Sequence, residues 1–101
     1  MPTLFEKKVY EVTRKIPRGK VSTYAVIARA VGSNGPRAVG NALHRNPFAP
    51  KVPCHRVVRS DGAVGGFADG ARMKEELLED EGIRIIDGKV DLLKYSFRLR
   101  R

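Results

Sequence analysis

With 101 residues, 42% of them hydrophobic, the chain is long enough for one compact domain and too short for a second sizeable core. No apolar stretch reaches the ~20 residues of a membrane-spanning helix, and one cysteine with two histidines argues against an internal disulfide and a structural zinc site. The net charge is +9, and residues 1–60 hold 12 Lys and Arg against 2 carboxylates, so this basic half predicts a polyanion partner, with nucleic acid the leading candidate.

The first predicted element is a helix. The run Thr3-Leu4-Phe5-Glu6 is a capping box, in which the Thr and Glu side chains satisfy backbone N–H groups of the first turn. Apolar residues then recur at helical spacing, and Pro17 with Gly19 ends the helix. The apolar positions are Leu4, Phe5, Val9, Val12 and Ile16.

Two shorter helices resemble a helix-turn-helix. Ser22 or Thr23 can cap a helix over residues 24–31, and Pro36 suits the first position of a helix that runs to about residue 45. The second would be the recognition helix, with polar residues set among small ones: Arg37, Ala38, Gly40, Asn41, Ala42, His44 and Arg45. Gly40 either lets this helix approach a groove closely or faces a neighbouring helix in the core.

Short strands are predicted in the second half of the chain. Residues 56–59 are strand-like, residues 60–62 (Ser-Asp-Gly) form a turn, and residues 63–64 return as a paired strand. Residues 85–90 have the pattern of a hairpin with Asp-Gly at its turn.

One more helix is predicted between these strands. It follows a glycine-rich loop over residues 65–70 and runs from about residue 71 to residue 81, where Gly82 ends it. Met73, Leu77 and Leu78 form its apolar stripe.

The only cysteine, Cys54, stands between Pro53 and His55. A cationic neighbourhood favours the thiolate, which is the nucleophile, whereas a free cysteine can also be a small buried hydrophobe. Neighbouring residues on a strand point to opposite faces, so His55 can act on Cys54 only if the backbone turns there or a water bridges them. A carboxylate should orient His55, and spacing leaves seven candidates: Asp61, Asp69, Glu75, Glu76, Glu79, Asp80 and Glu81.

Four short motifs in order resemble the O6-alkylguanine-DNA alkyltransferase family. They are Arg37-Ala38-Val39-Gly40, Arg45-Asn46-Pro47, Pro53-Cys54-His55-Arg56-Val57 and Gly62-Ala63-Val64-Gly65. The resemblance covers roughly residues 3–88 and corresponds to the family's C-terminal catalytic and DNA-binding domain, with its usual N-terminal domain absent. It implies one domain over residues 1–101, mainly α with a small β wing and winged helix-turn-helix-like.

The resemblance also implies a reaction. An O6-alkylguanine flips out of double-stranded DNA, and Cys54 takes its alkyl group irreversibly. His55 acts through water as the base that generates the thiolate, and Glu81 orients His55. Asn46 braces the turn that presents the cysteine. Tyr24 donates a hydrogen bond to the guanine ring nitrogen.

Roles in DNA and substrate binding are implied in the same way. Arg37 is the finger that fills the gap left by the flipped nucleotide. The predicted DNA contacts are Arg37, Ala38, Gly40, Asn41, Arg45 and Arg56. The predicted substrate pocket is lined by Tyr24, Val57, Phe67 and Ala68. Residues 67–69 of the pocket loop are Phe-Ala-Asp, where the family usually has Tyr-Ser-Gly. Because Ala68 lacks a side-chain hydroxyl, only its backbone N–H can reach the guanine oxygen.

The expected protein is a monomer that needs no metal or cofactor and does not bind membranes. It would be cytoplasmic and associated with the nucleoid, or nuclear in a eukaryote. One alternative is an alkyltransferase-like sensor, which binds damaged DNA without repairing it and lacks the acceptor cysteine. Another is a helix-turn-helix transcription regulator with Cys54 as a redox sensor, which would predict operator preference and dimerisation.

Overall fold

Helices dominate the computed structural model, which describes residues 2–32, 35–49, 51–65 and 68–98, with the backbone alone at residues 68–71. In chain order the elements are α1 (Leu4–Arg14), β1 (Ser22–Thr23), α2 (Tyr24–Ala30), α3 (Pro36–His44), a 3₁₀ turn (Cys54–Arg56), β2 (Val57–Val58), α4 (Ala68–Asp80), β3 (Ile85–Ile86), β4 (Lys89–Val90) and α5 (Leu92–Tyr95). The prediction of a mainly helical domain with a small β part is confirmed.

Helix α1 begins with the predicted capping box. The Glu6 N–H donates to Thr3 Oγ1 at 3.1 Å, and the Thr3 N–H donates to Glu6 Oε1 at 2.8 Å. The helix ends at Arg14, before the proline expected to stop it. Leu4 is 72% exposed and does not belong to the core, whereas Tyr10 is buried and donates its hydroxyl to the carbonyl of Ala42 at 2.7 Å.

Two-residue parallel strands, β1 and β2, lie between two hydrophobic clusters. Ser22 pairs with Val57 and Thr23 with Val58. Successive strand residues face opposite sides, so Val57 joins the cluster built on α1, α2 and α3, and Val58 joins the cluster that contains Leu78 of α4. The pairing places the start of α2 beside the cysteine segment. Strand β1 was not predicted, because two residues before a helix carry no period-2 pattern.

Helices α2 and α3 form the predicted pair. Thr23 caps α2 by accepting from the Val26 N–H at 3.1 Å. Helix α3 has a buried face of Val39, Ala42 and Leu43. A Cβ at Gly40 would lie 3.9 Å from Cε1 of Tyr24, so this glycine faces the tyrosine ring at ordinary contact distance.

The hairpin is confirmed. The predicted return of residues 63–64 is present in part, since the Arg59 N–H donates to Ala63 O at 3.0 Å, but these residues also pair with the hairpin, where the Val64 N–H donates to Gly88 O at 3.0 Å. Asp87 and Gly88 both have positive φ, 53° and 75°, as a two-residue type I′ turn requires. Ala63 bridges Lys89 of β4. A sidechain at Gly62, where φ is +90°, would collide with the carbonyl of Val90, so glycine is needed where this segment crosses the hairpin.

Helix α4 begins at Ala68, earlier than predicted, and its apolar stripe is only partly a core stripe. Leu78 is fully buried, but Met73 is 65% exposed and Leu77 is 43% exposed. The helix ends in a Schellman motif, in which the Gly82 N–H donates to Glu79 O at 2.9 Å and the Ile83 N–H donates to Leu78 O at 3.1 Å.

This motif fixes the position of Glu81, which follows directly on α4. Gly82 adopts a φ of +88°, which lets the chain reverse after Glu81. Ile83 and Leu78 then meet in the second hydrophobic cluster. Among the described residues, no helix is long and apolar enough to cross a membrane.

Candidate active site

A single 3₁₀ turn presents the cysteine. The Cys54 N–H donates to Val52 O at 2.9 Å, and the Arg56 N–H donates to Pro53 O at 2.9 Å. A strand would have directed neighbouring side chains to opposite faces. The turn instead lets Cys54 and His55 line the same cavity.

This cavity has a volume of about 520 Å³, within the roughly 300–1,000 Å³ typical of small-molecule sites. Cys54 at its wall is partly exposed. The walls come from the start of α2, from α3, from the cysteine turn, from the segment that follows β2 and from α4. The lining residues are Tyr24, Gly40, Asn41, Leu43, His44, Cys54, His55, Val64, Gly65, Met73, Lys74 and Leu77.

His55 is paired with Glu81. The two side chains are 13% and 6% exposed, and Nε2 of His55 lies 2.8 Å from Oε2 of Glu81. Burial alone would raise the pKa of Glu81, but hydrogen bonds from Arg56 and His55 outweigh it and hold the pKa at about 2. Because an ionised carboxylate only accepts hydrogen bonds, Nε2 of His55 carries the proton in this hydrogen bond.

Arg56 also binds Glu81, and each of its three guanidinium nitrogens donates a hydrogen bond within the protein. Its Nε and Nη2 donate to the Glu81 carboxylate at 2.9 and 2.7 Å, and Nη1 donates to the carbonyl of Ile16 at 2.8 Å. The side chain is 17% exposed. The predicted DNA contact by Arg56 does not fit this geometry, because its charge is committed to holding Glu81 in place.

Asn46 bridges the loop that leads to the cysteine. Its Nδ2 donates to the carbonyl of Val52 at 2.8 Å, and its Oδ1 accepts from the Phe48 N–H at 2.9 Å. The same Val52 carbonyl accepts from the Cys54 N–H. The position fits the bracing role expected of Asn46.

Tyr24 has a partner that the sequence reasoning missed. Nζ of Lys74 donates to the Tyr24 hydroxyl oxygen at 3.2 Å and lies 5.5 Å from the centre of its ring. Since Lys74 occupies a lone pair of the oxygen, the O–H of Tyr24 remains free to donate into the cavity. No sequence signal singles out this lysine, because helix α4 carries several charged residues.

Most of the predicted DNA-contact residues are exposed on α3 (Pro36–His44) or at Arg45, which caps its end. Gly40 is partly buried against Tyr24. Arg45 is 63% exposed, but its Nη2 pairs with Oε2 of Glu6 at 2.8 Å. Hydrogen bonds from the Thr3 backbone and from Arg45 lower the pKa of Glu6. The exposed predicted contacts are Arg37, Ala38, Asn41 and Arg45.

Only some of the predicted pocket residues can be placed at the cavity. Tyr24 lines the cavity, but Val57 has no exposed surface and belongs to the core, so its place in the pocket is corrected. Phe67 lies outside the described residues, and Ala68 is described only as the first residue of α4. Of the candidate carboxylates whose side chains the structure describes, a set that leaves out Asp69, Glu81 is the one hydrogen bonded to His55. Among the described residues, no cluster of His, Cys, Asp or Glu could hold a metal ion.

Comparison with known proteins identifies the family. Residues 4–83 match the family described as 6-O-methylguanine DNA methyltransferase, DNA binding domain. The chain belongs to this family. It is 45% identical over 83 residues to the methylated-DNA–protein-cysteine methyltransferase of Methanothermobacter thermautotrophicus and 51% identical over 83 residues to that of Thermococcus kodakarensis. These matches cover 82% and 81% of the chain but 47% of each relative, so the chain spans about half the length of the curated relatives it matches.

Two solved structures share the fold. The crystal structure of S. pombe Atl1 in complex with damaged DNA containing O6-carboxymethylguanine has a TM-score of 0.85 and 36% identity, and the match covers 94% of this chain and 95% of that one. Mycobacterium tuberculosis OGT in complex with DNA has a TM-score of 0.74 and 39% identity, covering 80% of this chain and 51% of that one.

Proposed function

We propose that this member of the 6-O-methylguanine DNA methyltransferase family repairs double-stranded DNA by transferring an alkyl group from O6-alkylguanine to Cys54. One observation carries the proposal. The only cysteine opens onto a cavity of about 520 Å³ that it shares with His55. The buried Glu81 carboxylate holds Nε2 of that imidazole, and in this proposal Nδ1 is the nitrogen that takes a proton.

The reaction follows from this arrangement. Nδ1 of His55 takes the Cys54 proton through a water, and the thiolate attacks the carbon bound to O6 of the flipped guanine. The S–C bond forms as the C–O bond breaks, and the electron pair leaves with the guanine. The Tyr24 O–H, whose oxygen accepts from Lys74, donates to the ring nitrogen and disperses this charge. The thioether is stable, so each molecule acts once.

Helix α3 would deliver the base. Arg37 and Asn41 are exposed on it, and Asn41 and His44 also line the cavity, so a strand lying along α3 passes the mouth of the site. In this proposal Arg37 fills the gap left by the flipped nucleotide, and Ala38, Gly40 and nearby polar groups contact the DNA without reading its sequence.

The proposal assigns residues 1–101 to the catalytic and DNA-binding domain of the family, the C-terminal domain of its two-domain members. Both the reactive cysteine and the exposed basic helix fall within the matched residues 4–83. We further propose that it acts as a monomer, without a cofactor, wherever the cell keeps its DNA: the cytoplasm, or the nucleus in a eukaryote.

A second candidate function is sensing of damaged DNA without repair. The observation that favours it is the match to Atl1, which covers nearly all of both chains. Transfer is still preferred, because a sensor has no use for a thiol held beside a histidine whose free nitrogen can accept its proton.

Intact mass distinguishes the two functions. The protein is incubated with duplex DNA containing O6-methylguanine, and we expect a gain of one methyl group that is absent in Cys54→Ser. Ser60→Ala, an exposed change in the turn after β2, is the matched control and should gain the methyl group. Tight binding to the damaged duplex with no gain in mass would support the sensor and reject transfer.

A further inference from the structure

A second cavity, the α1 groove, lies between helix α1 and the loop that follows α3. Its volume is about 480 Å³, and it shares no lining residue with the cavity that contains Cys54. The residues that give it its character are Lys7, Tyr10, Glu11 and Arg14 of α1 with Phe48 and Lys51 of the loop. Those of α1 share one helix face over about 10 Å of its axis. The proposed transfer reaction gives this groove no role.

The floor of the α1 groove is aromatic. The rings of Tyr10 and Phe48 meet edge to face, with their centroids 5.8 Å apart and an angle of 76° between their planes. Tyr10 is buried and bonded through its hydroxyl to the carbonyl of Ala42. Phe48 is 47% exposed and belongs to neither hydrophobic cluster. The fixed phenol holds the phenyl ring from one side and leaves a surface on which a planar ligand can stack.

Cations surround these rings. Lys7, Arg14 and Lys51 line the groove together with one carboxylate, that of Glu11. Arg14 lies 3.4 Å from Glu11 in a pair that is more than half exposed. Among the residues that the structure describes, Lys7 and Lys51 pair with no carboxylate. The groove therefore keeps a net positive charge around an aromatic floor, the combination with which proteins bind single-stranded nucleic acid.

The α1 groove also continues the basic surface of α3. Arg45, at the end of α3, is 63% exposed and binds Glu6 of α1 at 2.8 Å, and Lys7 follows Glu6 in the chain. A strand that leaves the exposed residues of α3 past Arg45 therefore meets the groove next, which favours DNA over an acidic protein segment as the ligand. The bases of a duplex are paired and stacked on one another, so only an unpaired nucleotide can offer its face to Phe48.

We propose that the α1 groove binds an unpaired nucleotide of a DNA strand, with its base stacked on Phe48 and its phosphates beside Lys7 and Lys51. The inference goes beyond the proposed transfer, since it involves neither Cys54 nor a damaged base. The protein should prefer a duplex with a single-stranded extension to a blunt one. Every base has a face that can stack, so this preference should not depend on the sequence of the extension.

Fluorescence anisotropy with undamaged DNA tests the inference. One duplex carries a short oligothymidine extension, and a second carries an abasic extension of the same length, which has the phosphates without the bases. We expect the protein to bind the thymidine extension about tenfold more tightly than the abasic one, because only the former can stack. Phe48→Ala should remove most of this gain, and Phe48→Trp should keep it. Leu93→Ala, at a fully exposed position of α5, is the control.

The phosphate contacts are tested on the same two duplexes. Lys51→Gln should weaken binding to both extensions equally, because both carry the phosphates. Lys8→Gln changes an exposed lysine of α1 that does not line the groove and is the matched control. The loop should keep its shape in the Phe48 variants, since the backbone of Phe48 makes its hydrogen bonds to Asn46 and Val52.

Each contrary result has a distinct meaning. Equal affinity of the wild-type protein for the two extensions overturns the proposal, and this comparison needs no variant. A thymidine gain that survives in Phe48→Ala overturns it as well, because the base then stacks elsewhere. If polyglutamate displaces the thymidine extension as readily as oligothymidine of the same charge does, the groove accepts any acidic chain and the nucleotide is the wrong ligand. Failure of methyl transfer would overturn the proposed function and leave these measurements unaffected.

Discussion

Glu81 both binds His55 and makes the stability of the protein depend on pH. Its pKa is about 2 in the folded protein, because the hydrogen bonds from Arg56 and His55 outweigh the effect of burial, and an unfolded glutamate has a pKa of about 4.3. The unfolded state therefore binds more protons between these values, so the stabilisation is complete above about pH 5 and is lost as the pH falls towards 2. We expect Glu81→Gln to lower the free energy of unfolding at pH 7 and to flatten its decline in acid.

Urea unfolding at a series of pH values measures both effects. Glu79→Gln is the matched control, since Glu79 is an exposed carboxylate two residues earlier on α4. This control should keep the wild-type decline. An equally steep decline in Glu81→Gln would contradict the assignment of the low pKa to that residue.

At the scale of an element, the loop between α3 and the cysteine turn depends on one amide. Asn46 donates to the Val52 carbonyl at 2.8 Å and accepts from Phe48 at 2.9 Å. Asn46→Ala removes both bonds, each of which contributes about 0.5–1.5 kcal/mol. We expect a loss of about 1–3 kcal/mol in the free energy of unfolding and a transfer rate at saturating DNA at least about tenfold lower, because Cys54 is no longer held by a fixed turn.

Ser60→Ala, already the control for transfer, serves here for stability as well. Chemical unfolding and single-turnover transfer are measured on the same preparations. If Asn46→Ala reacts at the wild-type rate while losing stability, the amide supports the fold alone and does not position the cysteine.

Elements with a local signal were predictable from the sequence, and those that depend on distant partners were not. The capping box at Thr3, the Asp87-Gly88 hairpin and the end of α4 at Gly82 are local, and each is present. Strand β1 exists only because β2 lies beside it. The predicted apolar stripe of α4 divides between the core, where Leu78 lies, and the cavity, which Met73 and Leu77 line, and spacing alone cannot make this distinction.

The candidate site divides in the same way. The motif around Cys54 identified the thiol and His55. Spacing could not show which of seven carboxylates orients His55, because that depends on the fold, which places Glu81 between His55 and Arg56. The same hydrogen bonds argue against the predicted DNA contact by Arg56. Lys74 was missed because its role depends on the proximity of Tyr24, which is 50 residues away in the chain.

For the whole molecule, charge would govern the proposed binding to DNA. The net charge is +9, concentrated in residues 1–60, and phosphate contacts release counterions, so affinity falls linearly on a log–log scale with salt. As a phosphate contact, Arg37 would reduce the salt slope by about 1 on change to Ala. As the finger of a flipped base, it would instead be needed for duplex substrates and not for free base.

We expect Arg37→Ala to slow transfer from duplex DNA far more than transfer from free O6-benzylguanine. Binding at several salt concentrations, measured alongside, separates a general loss of affinity from a loss of flipping. Arg29→Ala changes an exposed arginine on α2 and serves as the charge-matched comparison. Equal losses on duplex and free base would count against the finger.

The short ladder between β1 and β2 ties together both ends of the stretch from Tyr24 to Cys54, which contains the whole of α3. The segment from Tyr24 to Cys54 is therefore a loop whose two ends are held together by strand pairing. In the proposed complex with DNA, a force on α3 would be shared between the two ends, so Tyr24 and Cys54 would move together. The pairing of β1 with β2 would then keep their separation constant while the bound duplex bends.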